Sequence, residues 1–554
     1  MRKFLTVVGL LTACTHGSST IGPRQAATQA NVTATDLERR LFIIAHDSMM
    51  GREPGQPGNY KTAEYVAGEF RRLGLKPAGE NGTYFQTVPF FRATPAASRI
   101  VVNGEGLVLG KDFLPITFQA GPRSLDGGHA IYGGDVGDST QWPSAEAAKG
   151  NLVIFQTTLP QGAPFSLAAA RGLSARPRFQ AAAGLAVVQL ERAPGEFVVR
   201  LMGGALTLDT TRNAYVVPVV LVTDAAAARL LGRGLNSVTP GTAGTAALSG
   251  TIDVPRRPTE FPARNVVAVL PGSDAKLAGE YVSLTAHNDH VGFSHSPVDH
   301  DSIRAFNRVV RPMGADSRST SYSPEQMTRV KQILDSLRHV HQPRPDSIFN
   351  GADDDGSGTV ALLEIAEALS AKPHPRRSIL FVSHTGEEFG LVGSAWFTDH
   401  ATVPIGSIVA EIDEDMIGRG EKTDLPEGGP TYLEVVGARR LSNEFGDLLE
   451  QANSRQPVPF VFNYTYDAPG HPLQYYCRAD HYNYARYGIP SVAFSRGEHL
   501  DYHQVTDEPQ YIDYPDLARV ATMVLDAATS IANADHRPKL DSPRQSDPHA
   551  PCRQ

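Results

Sequence analysis

Cysteine is scarce in this 554-residue chain, which contains only Cys14, Cys477 and Cys552. A metal site built from thiolates is therefore not expected, and no cysteine competes with histidine and carboxylate side chains for a metal ion. Cys477 and Cys552 lie far apart in sequence. A disulfide between them is an open alternative that no feature of the sequence supports.

An excess of positive charge and long apolar runs are also missing. Lys and Arg total 51 against 59 Asp and Glu, which gives a formal net charge of −8. This balance gives no reason to expect nucleic acid or an anionic surface as a partner. No apolar run of roughly 18 residues or more follows the N-terminal segment, so no membrane-spanning helix is predicted. The length and the 41% hydrophobic content allow more than one domain with a sizeable core.

Five short segments carry side chains that bind metal ions. They are His287-Asn288-Asp289, Gly351 to Gly358, Glu387-Glu388, Asp413 to Met416, and His503 with Asp507. Each segment alone is weak evidence, but together they offer enough histidine and carboxylate ligands for two divalent ions. Such ligands suit zinc, and a pair of ions can generate a hydroxide nucleophile near neutral pH. The combination predicts a two-metal hydrolase.

Apolar runs precede most of these segments. The runs at 281–286, 378–383, 407–412 and 491–495 are mostly apolar and rich in β-formers, which is typical of buried strands. A helix is predicted between two of them, from Thr359 to about Leu369. Alternating strands and helices predict an α/β fold with a mostly parallel central sheet. Ligands bind beyond the carboxyl ends of strands in such sheets, and the candidate metal ligands lie there.

At these positions the sequence resembles the M28 family of zinc peptidases. The residues that carry the resemblance are His287-Asn288-Asp289, Asn350 to Gly358, Glu387-Glu388, Asp415-Met416 and Tyr502-His503. The resemblance covers roughly residues 35–115 and 260–533. It implies a zinc-aminopeptidase-like fold, with helices flanking the central sheet, and two Zn²⁺ ions as cofactors.

The resemblance also implies roles for single residues. The implied metal ligands are His287, Asp354, Glu388, Asp415 and His503. Asp354 resembles the ligand that bridges both ions. Glu387 matches the family's general base, and Asp289 matches the carboxylate that orients His287.

Two of the segments contain acidic residues that are adjacent in sequence. Spacing alone does not choose among Asp353, Asp354 and Asp355, and the two that are not ligands are expected to cap the following helix. Glu387 and Glu388 are adjacent, so their side chains point apart in extended backbone. One of them can bind metal while the other faces the water.

These features predict a di-zinc exopeptidase that acts on peptides, and an aminopeptidase is the preferred interpretation. The alternatives are a carboxypeptidase of the same family, a glutaminyl cyclase on the same fold, and a binding ectodomain without catalysis. The last alternative requires degraded ligands, and none is degraded here. The oligomeric state stays open.

The N-terminus predicts export. Arg2 and Lys3 form a positive region, an apolar region runs to Ala13, and the stretch from Leu11 to Cys14 resembles a bacterial lipoprotein box. Residues 1–13 are then a signal peptide, Cys14 carries the lipid, and 14–34 form a tether. The expected location is the periplasm or cell envelope, with the lipid as the only membrane anchor. An ordinary secretory signal is the alternative.

The mature chain is predicted to hold one interrupted peptidase domain. Its parts are residues 35–118 and 253–533, and residues 119–252 resemble the small β-rich protease-associated insert of some M28 members. A second insertion at 291–349 contains a predicted helix from Ser323 to Leu337, either a lid over the cleft or a helix packed aside. The polar, proline-rich tail at 534–554 is predicted to be disordered.

Overall fold

A computed structural model describes residues 28–116, 120–158, 165–208, 216–317, 322–543 and 545–554. The predicted signal peptide, the lipidation site at Cys14 and most of the tether lie outside the described residues. Within these ranges, no helix combines the length and the apolar composition needed to cross a bilayer.

Helices surround the sheets of the structure. They are α1 (Ala34–Ile44), α2 (Pro57–Arg72), α3 (Ala145–Ala148), α4 (Ala168–Ser174), α5 (Gly195–Gly203), α6 (Asp224–Leu231), α7 (His300–Val310), α8 (Pro324–Arg338), α9 (Gly358–Ser370), α10 (Val392–Asp399), α11 (Asn443–Ser454), α12 (His481–Ala485) and α13 (Tyr514–Asn533). Local chemistry explains their ends. The Thr33 side chain accepts a hydrogen bond from the backbone N–H of Asp36 and caps α1, and Pro57 opens α2.

The strands form several separate sheets. They are β1 (Lys76–Pro77), β2 (Phe85–Val88), β3 (Phe90–Ala93), β4 (Arg99–Val102), β5 (Glu105–Gly106), β6 (Phe113–Pro115), β7 (Arg123–Ser124), β8 (Ala130–Asp135), β9 (Leu152–Gln156), β10 (Gly184–Val188), β11 (Ala205–Leu208), β12 (Val219–Val222), β13 (Leu248–Ile252), β14 (Arg256–Pro258), β15 (Ala263–Leu270), β16 (Tyr281–His287), β17 (Phe293–Asp299), β18 (Pro345–Ile348), β19 (Ser378–His384), β20 (Ile408–Glu414), β21 (Tyr432–Val436), β22 (Val461–Asn463) and β23 (Ser491–Ser495).

The largest sheet has the order β1-β15-β19-β16-β20-β23-β21-β22, with β2 also paired to β15. Its central strands β19, β16, β20 and β23 run parallel, whereas β15 and β21 pair antiparallel with β19 and β23. The predicted α/β fold is confirmed. Because the four central strands are parallel, their carboxyl ends meet at one edge, and the site lies there.

Helix α9 is the centre of the main core. All its residues from Gly358 to Leu369 are buried, and it contacts α1, α13, β16 and β20. Its buried acidic side chain Glu364 is paired, with Arg40 Nε of α1 lying 2.6 Å from Glu364 Oε1. The helix is therefore covered on every side, which explains its apolar composition.

The unit that is inserted into the peptidase domain has apolar cores of its own. Its sheet of order β6-β12-β10-β9-β8 is mostly parallel and is accompanied by the short helices α3, α4 and α6. Strand β4 pairs with β13, and β6 pairs with β12. Residues 99–102 and 113–115 therefore share sheets with strands of the predicted insert. Strand β3 likewise pairs with β11, and the domain boundaries stay a prediction. The resemblance to a protease-associated domain stays a prediction.

The second insertion packs beside the loop that carries His503. The predicted helix is confirmed as α8, and Ser323 and Gln326 form a capping box at its start. The side-chain N–H of Asn307 in α7 donates to the carbonyl oxygen of Leu500 at 2.8 Å. The backbone N–H of Ala315 donates to the carbonyl oxygen of Tyr502 at 3.1 Å. The insertion thus supports that loop directly.

The C-terminal tail is held against the peptidase part. Cys477 and Cys552 form a disulfide, which settles the pairing that the sequence left open. The side-chain amide of Gln554 donates to the carbonyl oxygen of Tyr466 at 3.0 Å. The backbone N–H of Asp541 donates to the carbonyl oxygen of Leu441 at 2.9 Å. These contacts correct the expectation of a disordered tail, since polarity and proline content do not reveal a covalent anchor.

Candidate metal centre

The central strands deliver the predicted ligands to one edge of the sheet. His287 is the last residue of β16, Glu387 and Glu388 follow β19, and Asp415 follows β20. His503 lies in the loop after β23 and has a φ of 53°. A positive φ is unusual for a residue with a side chain, and such conformations are common at functional sites.

Asp354 lies in the loop that leads into α9. Gly351 in this loop has a φ of 55°, and a Cβ atom there would lie 2.3 Å from the carbonyl oxygen of Asp354 and 2.5 Å from the ring of His290. Only glycine allows the loop to come this close to both residues. The Asp507 carboxylate accepts hydrogen bonds from the backbone N–H groups of Asp353 and Asp354 at 3.1 Å. The Asp507 carboxylate therefore holds the backbone of this loop in place.

The metal-binding side chains form two groups that share Asp354. One group contains His290, Asp354, Glu388 and His503, and the other contains His287, Asp354 and Asp415. Each oxygen of the shared carboxylate faces one group. Oδ2 of Asp354 lies 2.9 Å from His503 Nε2, and Oδ1 lies 3.2 Å from His287 Nε2. The five sequence-predicted ligands are thus brought together, with Asp354 between the two groups.

These donor atoms have short contacts but no hydrogen-bond partners. The buried atoms without a partner include His287 Nε2, His290 Nδ1, Asp354 Oδ2, Glu388 Oε1, Asp415 Oδ1 and His503 Nε2. Buried polar atoms are normally hydrogen-bonded. Lone pairs that converge without pairing are the arrangement expected of ligands around a cation. Imidazole and carboxylate donors in these numbers fit zinc.

The electrostatics of the site also favour a cation. Burial by itself would lower the pKa of His287, but Asp289 and Asp354 raise it well above its usual range. At His503, too, burial by itself would lower the pKa, but Glu388 and Asp354 raise it well above its usual range. Both shifts reflect the surplus of carboxylates over positive charge in this part of the protein.

Glu387 and Glu388 diverge, as their adjacency predicts. Glu388 Oε2 lies 2.9 Å from His503 Nε2, inside the first group. Glu387 lines the cleft beside Asp354 and Asp415, and its Oε2 lies 3.9 Å from His287 Nε2. Burial raises the pKa of the Glu387 carboxyl well above its usual range. Its position in the cleft beside the donor groups suits a general base.

Asp289 contacts His287 through both its main chain and its carboxylate. His287 Nδ1 lies 3.2 Å from the carbonyl oxygen of Asp289 and 3.6 Å from its carboxylate. The carboxylate also accepts a hydrogen bond from the backbone N–H of Glu387 at 3.2 Å. Asp289 therefore links His287 to the Glu387 loop, and its role in orienting the His287 ring stays a prediction.

The flanking aspartates stay outside both donor groups. Asp355 Oδ1 accepts from the backbone N–H of Gly358 at 2.9 Å, at the start of α9, as the capping interpretation predicts. Asp355 Oδ2 accepts from the backbone N–H of His287. Asp353 does not cap. Its Oδ1 accepts from the backbone N–H of Gly418 at 2.6 Å, so it ties its loop to the segment after Asp415.

Sequence reasoning left two residues of the site unassigned. His290 belongs to the first donor group, with its Nδ1 2.6 Å from Glu388 Oε1. Its position three residues after His287 was the available signal. Arg52 is fully buried and donates to the carbonyl oxygens of Asn288 at 3.2 Å and Gly351 at 2.8 Å. It joins two ligand-bearing loops, and no sequence pattern marked it.

A cleft opens beside the donors. It encloses about 590 Å³, counting the open space at its mouth, and is lined by Glu387, Asp415, Tyr502 and residues from β21 and β23. The Tyr502 ring stacks on His503 with centroids 4.0 Å apart. A peptide in this cleft would therefore lie directly against the metal-binding residues.

Comparison with known proteins places this site in a family. Residues 265–528 match the sequence model of peptidase family M28, and this range contains every donor described above. Residues 265–528 belong to peptidase family M28. The resemblance inferred from the motifs is confirmed.

Several proteins named as aminopeptidases are similar to this chain. Leucine aminopeptidase 1 of Paracoccidioides brasiliensis (strain Pb18) is 29% identical over 194 residues, which cover 33% of this chain and 47% of the relative. Aminopeptidase NAALADL1 of Mus musculus is 38% identical over 139 residues, or 23% and 19% of the two chains. The chain spans about half the length, or less, of these curated relatives. An aminopeptidase from Aneurinibacillus sp. strain AM-1 superposes with a TM-score of 0.48 and 17% identity over 90% of this chain and 93% of that one.

Proposed function

We propose that this protein is a di-zinc aminopeptidase. The observation that carries the proposal is the position of Asp354, whose two carboxylate oxygens face two separate donor groups at the head of a cleft. Membership of family M28 supports peptide hydrolysis. The names of the similar proteins, several of them aminopeptidases and one a probable zinc metalloprotease of Pyricularia oryzae, support the choice of reaction and metal.

The donor groups define how the ions would be held. His290, Asp354, Glu388 and His503 would hold one ion, and His287, Asp354 and Asp415 the other. When bound, zinc lowers the pKa of water and polarises a carbonyl group. Glu387 accepts a proton from the attacking water while the water oxygen bonds to the scissile carbonyl carbon. The same carboxyl then delivers that proton to the nitrogen of the leaving amine as the C–N bond breaks.

A substrate panel tests this proposal. Purified protein of measured zinc content is offered aminoacyl amides, peptides with a free carboxyl terminus and a blocked amine, and peptides with N-terminal glutamine. Release of the N-terminal residue, lost on chelation and restored by zinc, supports the aminopeptidase. Cleavage confined to the carboxyl end indicates a carboxypeptidase, and loss of ammonia from glutamine indicates a cyclase. Two bound zinc ions without turnover of any substrate would contradict catalysis.

We also propose that the protein is exported and lipid-anchored at Cys14. The sequence from Leu11 to Cys14 supports lipidation. The Cys477–Cys552 disulfide supports export, because disulfides persist mainly in oxidising compartments. In a bacterial host, the mature N-terminus should be a lipid-modified Cys14, and Cys14→Ser should abolish membrane partitioning. An unmodified N-terminal residue other than Cys14, found by mass spectrometry, would replace anchoring with simple secretion.

A further inference from the structure

The wall of the cleft beyond the metal-binding residues contains two buried glutamates. Glu434 lies on β21 and Glu498 follows β23, and both line the cleft that Glu387 and Asp415 also line. They are 1% and 8% exposed. Neither belongs to a donor group of the metal centre. The two glutamates therefore define a separate subsite next to the reacting groups, which we call the acidic subsite.

Glu434 has one satisfied and one unsatisfied oxygen. Its Oε1 accepts a hydrogen bond from the Tyr432 hydroxyl at 2.6 Å, and that hydroxyl in turn accepts from the Asn463 side chain at 3.0 Å. Its Oε2 is buried without a hydrogen-bond partner. Gly497 packs against Glu434 so closely that a Cβ atom there would lie 2.7 Å from Oε1. The carboxylate is thus held in place from one side while Oε2 is left for a ligand.

Arg478, which lines the same cleft, is already paired with carboxylates. Arg478 Nη1 lies 3.9 Å from Glu498 Oε1 but 2.5 Å from Asp316 Oδ2, a residue of the second insertion. One guanidinium therefore serves two carboxylates. Among the described residues, no ion pair reaches Glu434. Burial raises the pKa of Glu434 to about 8, and burial together with the nearby Glu434 and Asp316 carboxylates raises that of Glu498 to about 10.

Part of the remaining wall is apolar. Met416, Val436, Ala479 and Ala493 line the same cleft. Lysine and arginine side chains combine an aliphatic stem with a cationic head, and they bury the stem on apolar surface while the head reaches a polar partner. A buried carboxylate gains most from a ligand that brings the missing positive charge.

We infer that the acidic subsite binds the cationic side chain of an N-terminal lysine or arginine, so that the enzyme selects basic residues at the end of the peptide. The aliphatic stem packs on the apolar wall, and the ammonium or guanidinium group donates to Glu434 and Glu498. This inference rests on the proposed aminopeptidase function. A neutral residue of the same length leaves Glu434 Oε2 without a partner, and sites with unmatched polar groups discriminate strongly against such ligands.

Fluorogenic aminoacyl amides of lysine, arginine, norleucine and leucine test the inference on the wild-type protein. We expect kcat/KM for lysine and arginine to exceed that for norleucine by at least about tenfold. We also expect lysinamide to inhibit leucine turnover at lower concentration than norleucinamide. Equal or better turnover and binding of the neutral compounds would overturn the acidic-subsite assignment while leaving the aminopeptidase intact. Absence of turnover for all four amides would instead count against the proposed function.

The variant Glu434→Gln assigns the selectivity to one side chain. The ratio of kcat/KM for lysine to that for norleucine should fall about tenfold or more, and Glu434→Asp should recover part of it. Glu450→Gln, at a half-exposed glutamate on α11, is the matched control and should keep the wild-type ratio. Zinc content and thermal unfolding show whether each variant is folded. An unchanged ratio in a folded Glu434→Gln protein, or equal lysinamide and norleucinamide inhibition if that variant does not fold, refutes the role of Glu434.

Discussion

His290 Nδ1 lies 2.6 Å from Glu388 Oε1, yet neither atom has a hydrogen-bond partner. The two side chains approach each other as ligands of one cation would. With His503 and the shared Asp354, they give the first group four protein donors, whereas the group of His287 has three. More protein ligands and fewer open positions characterise tighter metal sites. We therefore expect the two sites to differ in zinc affinity.

Replacing His290 tests this difference. His290→Ala should weaken the binding of one zinc ion by at least about tenfold, because it removes one of the four donors of its group. Competition with a chromogenic zinc chelator measures both affinities. His129→Ala, at an exposed histidine of the inserted unit, is the control and should match the wild type. Identical zinc affinities in His290→Ala and wild type would exclude His290 as a ligand.

Substitutions of Glu387 and Glu388 should separate an effect on catalysis from an effect on metal binding. Glu387→Gln keeps the shape of a side chain outside the donor groups, so both zinc ions should stay bound while kcat falls about 10²–10⁴-fold with little change in KM. Glu388→Ala removes a donor, so zinc content should fall. The measurements are elemental analysis and steady-state kinetics on the same preparations. If Glu387→Gln loses zinc and Glu388→Ala retains it, the two roles are exchanged.

Buried neutral histidine should make the fold sensitive to acid. His481 is fully buried, and burial, with a smaller contribution from Arg440, lowers its pKa from 6.5 to about 3. The folded protein thus binds one proton fewer than the unfolded chain between these values. The stability due to this site is complete above pH 6.5 and is lost as the pH falls towards 3, at up to about 1.4 kcal/mol per pH unit.

The variant His481→Phe measures that contribution. Its free energy of unfolding, from urea titrations at pH 7.5 and pH 5, should decline less between the two pH values than that of the wild type. His341→Phe replaces a histidine whose side chain is 59% exposed and should leave the decline unchanged. A decline in His481→Phe equal to that of the wild type would mean that His481 does not control acid sensitivity.

The disulfide between Cys477 and Cys552 should stabilise the folded protein. It closes a loop with a sequence separation of 75 residues, and a disulfide that constrains the unfolded chain in this way typically stabilises a protein by roughly 2–4 kcal/mol. Cys552→Ser should lower the free energy of unfolding by that amount under oxidising conditions. A thiol reductant should lower wild-type stability to the level of the variant and leave the variant itself unchanged. Equal stability of wild type and variant without reductant would show that the bridge contributes nothing.

The sequence by itself determined the fold class and most of the metal centre. The runs before His287, Glu387 and Asp415 have the length and composition of buried strands, and parallel strands present their carboxyl ends at one edge. The motifs at those ends carry the resemblance to family M28, which residues 265–528 match. Secondary structure of this kind depends on local periodicity, which a single sequence contains.

Other features were decided only by the tertiary structure. Whether His290 faces Glu388 and whether Cys477 meets Cys552 depend on loop paths that local propensity does not specify. The contacts of Arg52 and the acidic subsite could not be predicted from the sequence for the same reason. Arg52 connects loops about 240 and 300 residues downstream, and Glu434 and Glu498 become a binding surface only when packing buries them together. A buried charge takes its character from its neighbours, and only the folded chain supplies those neighbours.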